Sequence, residues 1–223
     1  MEEVKVIELK ESVFADNDAE ADRVREDLKS RGQFLLNVMS SPGSGKTTTL
    51  TRLINLLKDT YRIGVMEADI DGAVDTDHII SQTGARAIQL HTGGMCHLDA
   101  GMTRTGIDSL DATGLDLVFL ENVGNLVCPA EFDTGASKNA VILSVPEGDD
   151  KPLKYPLMFE KADVVLLNKI DVLPYFDFDL DTFETYLRQR NPGCQLIKIS
   201  AKTGEGMDQL ADWVRHEIDL WRA

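Results

Sequence analysis

Apolar positions in this chain come mostly in short unbroken runs, separated by stretches in which they recur every three or four residues. The runs FLLNVMS (34–40), RIGVMEA (62–68), AIQL (87–90), LDLVFLE (115–121), AVILSV (140–145), DVVLLNK (163–169) and QLIKIS (195–200) predict strands. They are nearly continuous rather than alternating, which fits strands covered on both faces. The periodic stretches 46–58, 99–110, 178–189 and 207–221 predict helices. Alternation of this kind predicts an α/β fold with a mostly parallel β-sheet and helices on both faces. Residues 1–32 depart from it: a short VKVI run precedes 16–31, which has Val24 and Leu28 on one face and Gly32 as its stop. They are read as an N-terminal extension whose helix packs on a single domain, 33–223.

Composition narrows the partners. With 223 residues, 43% of them apolar and 27% charged, the chain can bury one large core. A formal charge of −15 argues against a nucleic-acid backbone or an anionic membrane as the main partner. The start, Met1-Glu2-Glu3-Val4-Lys5, lacks the segments of a signal peptide. No apolar stretch approaches the roughly 18 residues needed to span a bilayer. Three cysteines without an export signal suggest reduced thiols. The expectation is a cytoplasmic protein.

Chemistry enters with SSPGSGKTTT (40–49), placed between the first core strand and a helix. That context makes a glycine-rich loop credible as a phosphate cradle. Gly43, Ser44 and Gly45 turn backbone N–H groups toward phosphate oxygens, with no β-carbon at the two glycines to block approach. Lys46 adds charge for the β- and γ-phosphates, Thr47 offers a hydroxyl to Mg²⁺, and Thr48 continues the turn. The strict pattern has glycine where this chain has Ser40, a strand-exit position that a small residue can fill.

The base is read from NKID, which ends a later strand on the same sheet edge. The Asp171 carboxylate can accept two N–H bonds from guanine; adenine offers no such pair. A site built for those donors rejects analogues lacking them by roughly 10⁴-fold or more. Asn168 and Lys169 accompany it, and Ser200, Ala201 and Lys202 end the next strand, where their backbone can meet the guanine carbonyl. The set resembles a GTPase; an ATP-dependent kinase is the alternative, separable by nucleotide competition.

ENVG puts Glu121 where the familiar G-protein pattern has aspartate, one methylene longer toward Mg²⁺, and Gly124 where a backbone N–H would meet the γ-phosphate. Asp69 is a second candidate for the Mg²⁺ shell, and Asp75 for orienting the attacking water. Cys128 lies four residues past Gly124, within reach of any shift the γ-phosphate drives. Cys96 and His97 follow two glycines ahead of a helix, where a thiol's pKa is lowered. Two cysteines and a histidine suit Ni²⁺ or Zn²⁺, but a closed tetrahedral site needs four ligands, so a two-fold dimer is expected to complete it. Adjacent residues do not share a face, so Cys96 and His97 bind through irregular backbone or contact different metals. Cys194 is read as a small buried residue.

Together SSPGSGKTTT, GMCHLDAGM, ENVGNLVCPAEFD, VPEGDDKPLKYPLMF, LLNKIDVLPYFDFD and SAKTGEGMDQL resemble the hydrogenase nickel-incorporation GTPases (HypB) of the SIMIBI class of P-loop NTPases, from about Phe34 to the C-terminal helix. The resemblance implies slow GTP hydrolysis, GTP-promoted homodimerisation, and metal binding at Cys96, His97 and Cys128. It also implies nickel delivery to a [NiFe]-hydrogenase large-subunit precursor together with a HypA-type metallochaperone. The N-terminal cysteine motif and histidine-rich tract of some bacterial members are missing here, so high-affinity nickel storage is not expected. Two alternatives stand: the related urease-accessory nickel GTPase, and a GTP-gated scaffold with structural zinc.

Overall fold

The computed structural model describes the backbone of residues 9–69 and 74–223, and the side chains of 14–68 and 76–223. Among these residues seven strands form one sheet: β1 (Phe34–Ser40), β2 (Ile63–Asp69), β3 (Arg86–His91), β4 (Leu117–Gly124), β5 (Lys138–Ser144), β6 (Val164–Asn168) and β7 (Gln195–Lys198). Their order is β3-β2-β4-β1-β5-β6-β7, and every neighbouring pair is parallel. The helices are α1 (Leu9–Ser30), α2 (Lys46–Leu57), α3 (Val74–Thr83), α4 (Ala100–Ser109), α5 (Cys128–Glu131), α6 (Lys151–Lys154), α7 (Pro156–Glu160), α8 (Leu180–Arg190) and α9 (Met207–Arg222).

The continuous apolar runs are explained by two covered faces. Along β1, Leu36 and Val38 pack with Leu53 and Ile54 of α2 and Leu210 and Val214 of α9. Its other face meets two groups: Leu35 lies with Val24 and Leu28 of α1 and Ile107 of α4, while Met39 lies with Phe159 of α7 and Phe183 of α8. Every residue of β1 is buried, which an alternating strand cannot sustain.

Two elements differ from the sequence reading. The ENVG segment, read as loop after a strand ending at Glu121, belongs to β4, which runs on to Gly124 with a register shift against β1 between Val38 and Ser40. Val123 is buried and holds the extension down. Helix α3 was not foreseen because its sequence, VDTDHIISQT, has few apolar positions; among its described residues Ile79 carries the core contact.

Helix α1 is described from Leu9, ahead of the start at 16 that the periodicity predicts, and the VKVI run lies outside the described residues. It ends as Gly32 allows. Gly32 adopts φ +63°, the Gln33 N–H reaches Leu28 O at 2.9 Å and the Gly32 N–H reaches Lys29 O at 3.0 Å. These are the two hydrogen bonds of a Schellman stop. Trp221, in the last turn of α9, donates its indole N–H to Gln33 O at 2.7 Å and sets its ring edge-on to Phe34, 6.3 Å between centroids. The Lys29 ammonium lies 5.3 Å from the centre of that indole. Nearby, Asp116 takes Arg62 at 2.8 Å and Arg222 at 2.8 Å, and the Arg62 guanidinium holds its carboxyl well below the usual range.

Leu28→Ala tests how far α1 belongs to the core. Removing this buried side chain is expected to lower the free energy of unfolding in urea by about 2–5 kcal/mol within one cooperative transition. A loss below about 0.5 kcal/mol would place α1 outside the core.

Candidate functional site

The loop leaving β1 is shaped by two glycines in left-handed conformation, Gly43 (φ +74°) and Gly45 (φ +97°). Gly45 caps α2 with no side-chain bond to the first-turn N–H groups, and that turn holds no acidic residue. Those N–H groups and the positive end of the helix dipole are what a phosphate needs. A β-carbon at Gly45 would stand 2.5 Å from the Asn168 amide nitrogen, so glycine is required by packing as well as by φ. Ser40, the departure from the strict pattern, is fully buried, and its hydroxyl receives the Lys46 ammonium at 3.0 Å.

Beside this loop lies a cavity of about 580 Å³, lined among others by Lys46, Thr47, Thr48, Glu121, Gly124 and Lys169. A larger cavity, about 640 Å³, lies beside residues 129–134 between α1 and α7, and none of the predicted phosphate or base residues faces it. The chemistry selects the smaller one. Within it the Thr47 hydroxyl donates to Glu121 Oε1 at 3.2 Å. Glu67, which the sequence reading missed, also lines it; it is buried, receives the Thr76 hydroxyl, and pairs in register with Glu121 across β2 and β4. A hydroxyl with two carboxylates on neighbouring strands is an all-oxygen donor set of the kind a hard cation such as Mg²⁺ takes. Glu67 left one signal, an acid inside an apolar run. Asp69 ends β2 and Asp75 lies in α3, but both side chains fall outside the described residues.

Gly124 closes β4 against the phosphate loop: a β-carbon there would meet Pro42 at 3.2 Å. The base end is organised by Asn168, whose amide donates to Ser44 O at 2.9 Å while its oxygen accepts the N–H groups of Lys169 at 2.7 Å and Ala201 at 3.1 Å. Lys169 adopts φ +62° and sends its ammonium to Gly43 O at 2.7 Å. Asp171 receives the Ser200 hydroxyl at 2.7 Å. Ser200 is buried with its hydroxyl turned to Asp171, and of the backbone groups in the loop expected to meet the guanine carbonyl, the Ala201 N–H is donated to Asn168. Arg52 of α2, also missed, grips the same loop, donating to Ala201 O and Lys202 O at 2.9 Å each and to Thr203 O at 3.3 Å.

Cys128 opens α5, and Asn125 donates to its sulfur at 3.4 Å, joining it to the residue after Gly124. The neighbouring Cys96 thiol, and then burial, push the Cys128 thiol up from its ordinary value. Cys96 Sγ stands 3.9 Å from His97 Nδ1. The His97 ring stacks flat on Phe132, 3.9 Å between centroids at 9°, and burial pushes its pKa down against the pull of Asp99 and Glu131. This favours the neutral imidazole that a metal binds. The sequence expectation that Cys96 feels a helix N-terminus is corrected: Asp99 takes that place as N-cap of α4, bonding Met102 N at 2.8 Å. Among the described residues no three His, Cys, Asp or Glu side chains stand close enough to hold a metal. One chain thus assembles a thiol pair with a histidine beside it, and no closed site. Cys194 is buried, and burial lifts its thiol to about 11.

Residues 34–198 match the family described as CobW/HypB/UreG, nucleotide-binding domain. The hydrogenase maturation factor HypB of Rhizobium leguminosarum bv. viciae is 45% identical over 214 residues, which cover 96% of this chain and 71% of that protein. The crystal structure of HypB from Helicobacter pylori in complex with nickel is 37% identical with a TM-score of 0.86, covering 92% of this chain and 95% of that one. The signal recognition particle 54 kDa protein from Aeropyrum pernix K1 in complex with GDP, 14% identical with a TM-score of 0.57 over 84% of this chain and 46% of that one, shares the fold alone. Among the described residues no helix is long and apolar enough to cross a membrane.

Arg52→Ala removes a guanidinium from three carbonyls of the 201–203 loop. Fluorescent GDP is expected to bind about tenfold more weakly, as for the loss of charge-assisted hydrogen bonds. Unchanged affinity would show that the loop holds its shape without the arginine.

Proposed function

This chain belongs to the HypB hydrogenase maturation factors within the CobW/HypB/UreG nucleotide-binding family, and from that premise we propose that it is a slow GTPase that gates a metal site for nickel insertion into a [NiFe]-hydrogenase precursor. The observation that carries the reading is continuity: Gly124 packs on the phosphate loop, and Asn125, the next residue, bonds the sulfur of Cys128. Any rearrangement at the γ-phosphate is thereby transmitted over four residues to a thiol that already faces Cys96.

In this reading the backbone of Gly43, Ser44 and Gly45, with Lys46 and Thr48, holds the β- and γ-phosphates of GTP. Asn168, Lys169 and Asp171 with the loop from Ser200 to Lys202 hold guanine. Thr47, Glu121 and Asp69, with Glu67 in register beside Glu121, would hold Mg²⁺, which would supply positive charge against the charge that develops on the phosphates. Asp75 orients the attacking water, and the products are GDP and phosphate. Gly124 offers its N–H to the γ-phosphate, so hydrolysis releases β4's end.

The metal, Ni²⁺ in transit or Zn²⁺ when nickel is absent, is held by Cys96, His97 and Cys128. A tetrahedral ion needs a fourth ligand, and a GTP-promoted two-fold dimer supplies the second set. Nickel is cargo, received from a HypA-type metallochaperone and passed to the hydrogenase large-subunit precursor. The thiols require the reducing cytoplasm.

Metal titration monitored by native mass spectrometry checks this reading, using wild type and Cys128→Ala in the GDP and non-hydrolysable GTP-analogue states. Cys128→Ala is expected to weaken Ni²⁺ binding about tenfold or more, as loss of one ligand of a small set does. Wild-type affinity should differ between the nucleotides, and metal should shift relative nucleotide affinity by the same factor. Equal metal affinity in both nucleotide states would overturn the gating.

A further inference from the structure

The two thiols that meet in this protein come from segments the sheet does not hold together. Cys96 lies between β3 and α4, Cys128 between β4 and β5, and β2 separates β3 from β4. Helix α1 spans both segments. Its inward stripe, Phe14, Asn17, Ala21, Val24 and Leu28, is spaced at three and four residues, and its last three members are buried core. The stripe turns polar at Asn17, where two backbones need fixing.

We propose that Asn17 is a positioning residue for the metal site, and that α1 braces the two thiol-bearing segments in register. The oxygen of its carboxamide accepts the Ala100 N–H at 3.0 Å, four residues past Cys96. The nitrogen of the same group donates to Asp133 O at 2.9 Å, five residues past Cys128. One planar group therefore sets the separation of the two backbones. One turn earlier, Phe14 packs on Phe132 with centroids 5.0 Å apart, and Phe132 carries the stacked His97 ring. The Arg25 guanidinium reaches both oxygens of Asp133, at 2.9 and 2.7 Å, and fixes the same segment from the next turns of α1. A leucine at position 17 would bury more apolar surface but leave the Ala100 N–H and the Asp133 carbonyl without this partner, so the carboxamide is explained by geometry and not by burial. The significance of the brace rests on the metal-handling reading above; its geometry does not.

The test uses the full chain with GDP bound, as wild type, Asn17→Leu and Asn17→Asp. The first readout is Co²⁺ titration followed by thiolate-to-cobalt charge-transfer absorption. Asn17→Leu is expected to weaken Co²⁺ about tenfold or more and to reduce that band, in the range seen when outer-shell partners of metal ligands are lost. Asn17→Asp, which keeps the acceptor for Ala100, is expected to recover part of both. The second readout needs no metal: the rate at which diamide closes a Cys96–Cys128 disulfide, followed by peptide mass mapping. It should fall at least about fivefold in Asn17→Leu if the amide sets thiol apposition. Wild-type affinity, band and cross-linking rate in Asn17→Leu would overturn the brace. A wild type with no thiolate band would instead defeat the metal reading, and the cross-linking rate alone would then decide the brace.

Discussion

Three loops that lie far apart in the chain meet on the side chain of Asn168. The phosphate loop reaches it through Ser44 O, its own turn through Lys169 N, and the loop after β7 through Ala201 N. The carboxamide is buried, and inside the protein each of these bonds is costly to leave unmade. Everything at the nucleotide end is arranged around that condition. Gly45 can bear no β-carbon because the amide nitrogen occupies its place. Lys169 accepts a left-handed backbone beside it, and its stem lies over the same loop. The Ser200 hydroxyl steadies Asp171. The phosphate and base ends are thus tied into one hydrogen-bonded unit.

The architecture was legible because burial on two faces writes itself into composition. Strands such as FLLNVMS and DVVLLNK carry no polar face to hide, and each stands within a residue or two of where the pattern put it. The parallel sheet follows from their alternation with helices such as α2 and α9. What failed were places where length or contact, not residue type, decides. ENVG reads as loop by its glycine and asparagine, yet the neighbouring strand β1 pairs with it as far as Gly124. Helix α3 leans on the core through Ile79 and shows little periodicity to find.

The site was half visible for a similar reason. Glycines, the lysine and the acids at strand ends announce themselves through residue type, and the structure gathers Lys46, Thr47, Glu121 and Gly124 around one cavity. Arg52 and Asn17 do not announce themselves, since both bond backbone groups that every sequence possesses. A surface arginine that grips three carbonyls is spelled like one that grips water. Glu67 sat inside an apolar run and was taken for part of a strand, although a buried acid there calls for a partner, found in Thr76. Cys96 and Cys128 stand out by residue type, but Phe132, although it lies within ENVGNLVCPAEFD, gives no sign in the sequence that it carries the His97 ring, and α1 gives none that it backs Phe132.

The indole of Trp221 fixes Gln33 O at the hinge between α1 and β1, with Lys29 above its ring. Two turns that lie 188 positions apart in the sequence are therefore latched at one carbonyl. Fraying of α9 would release the end of α1, so the two helices open and close as one cooperative unit although seven strands separate them along the chain.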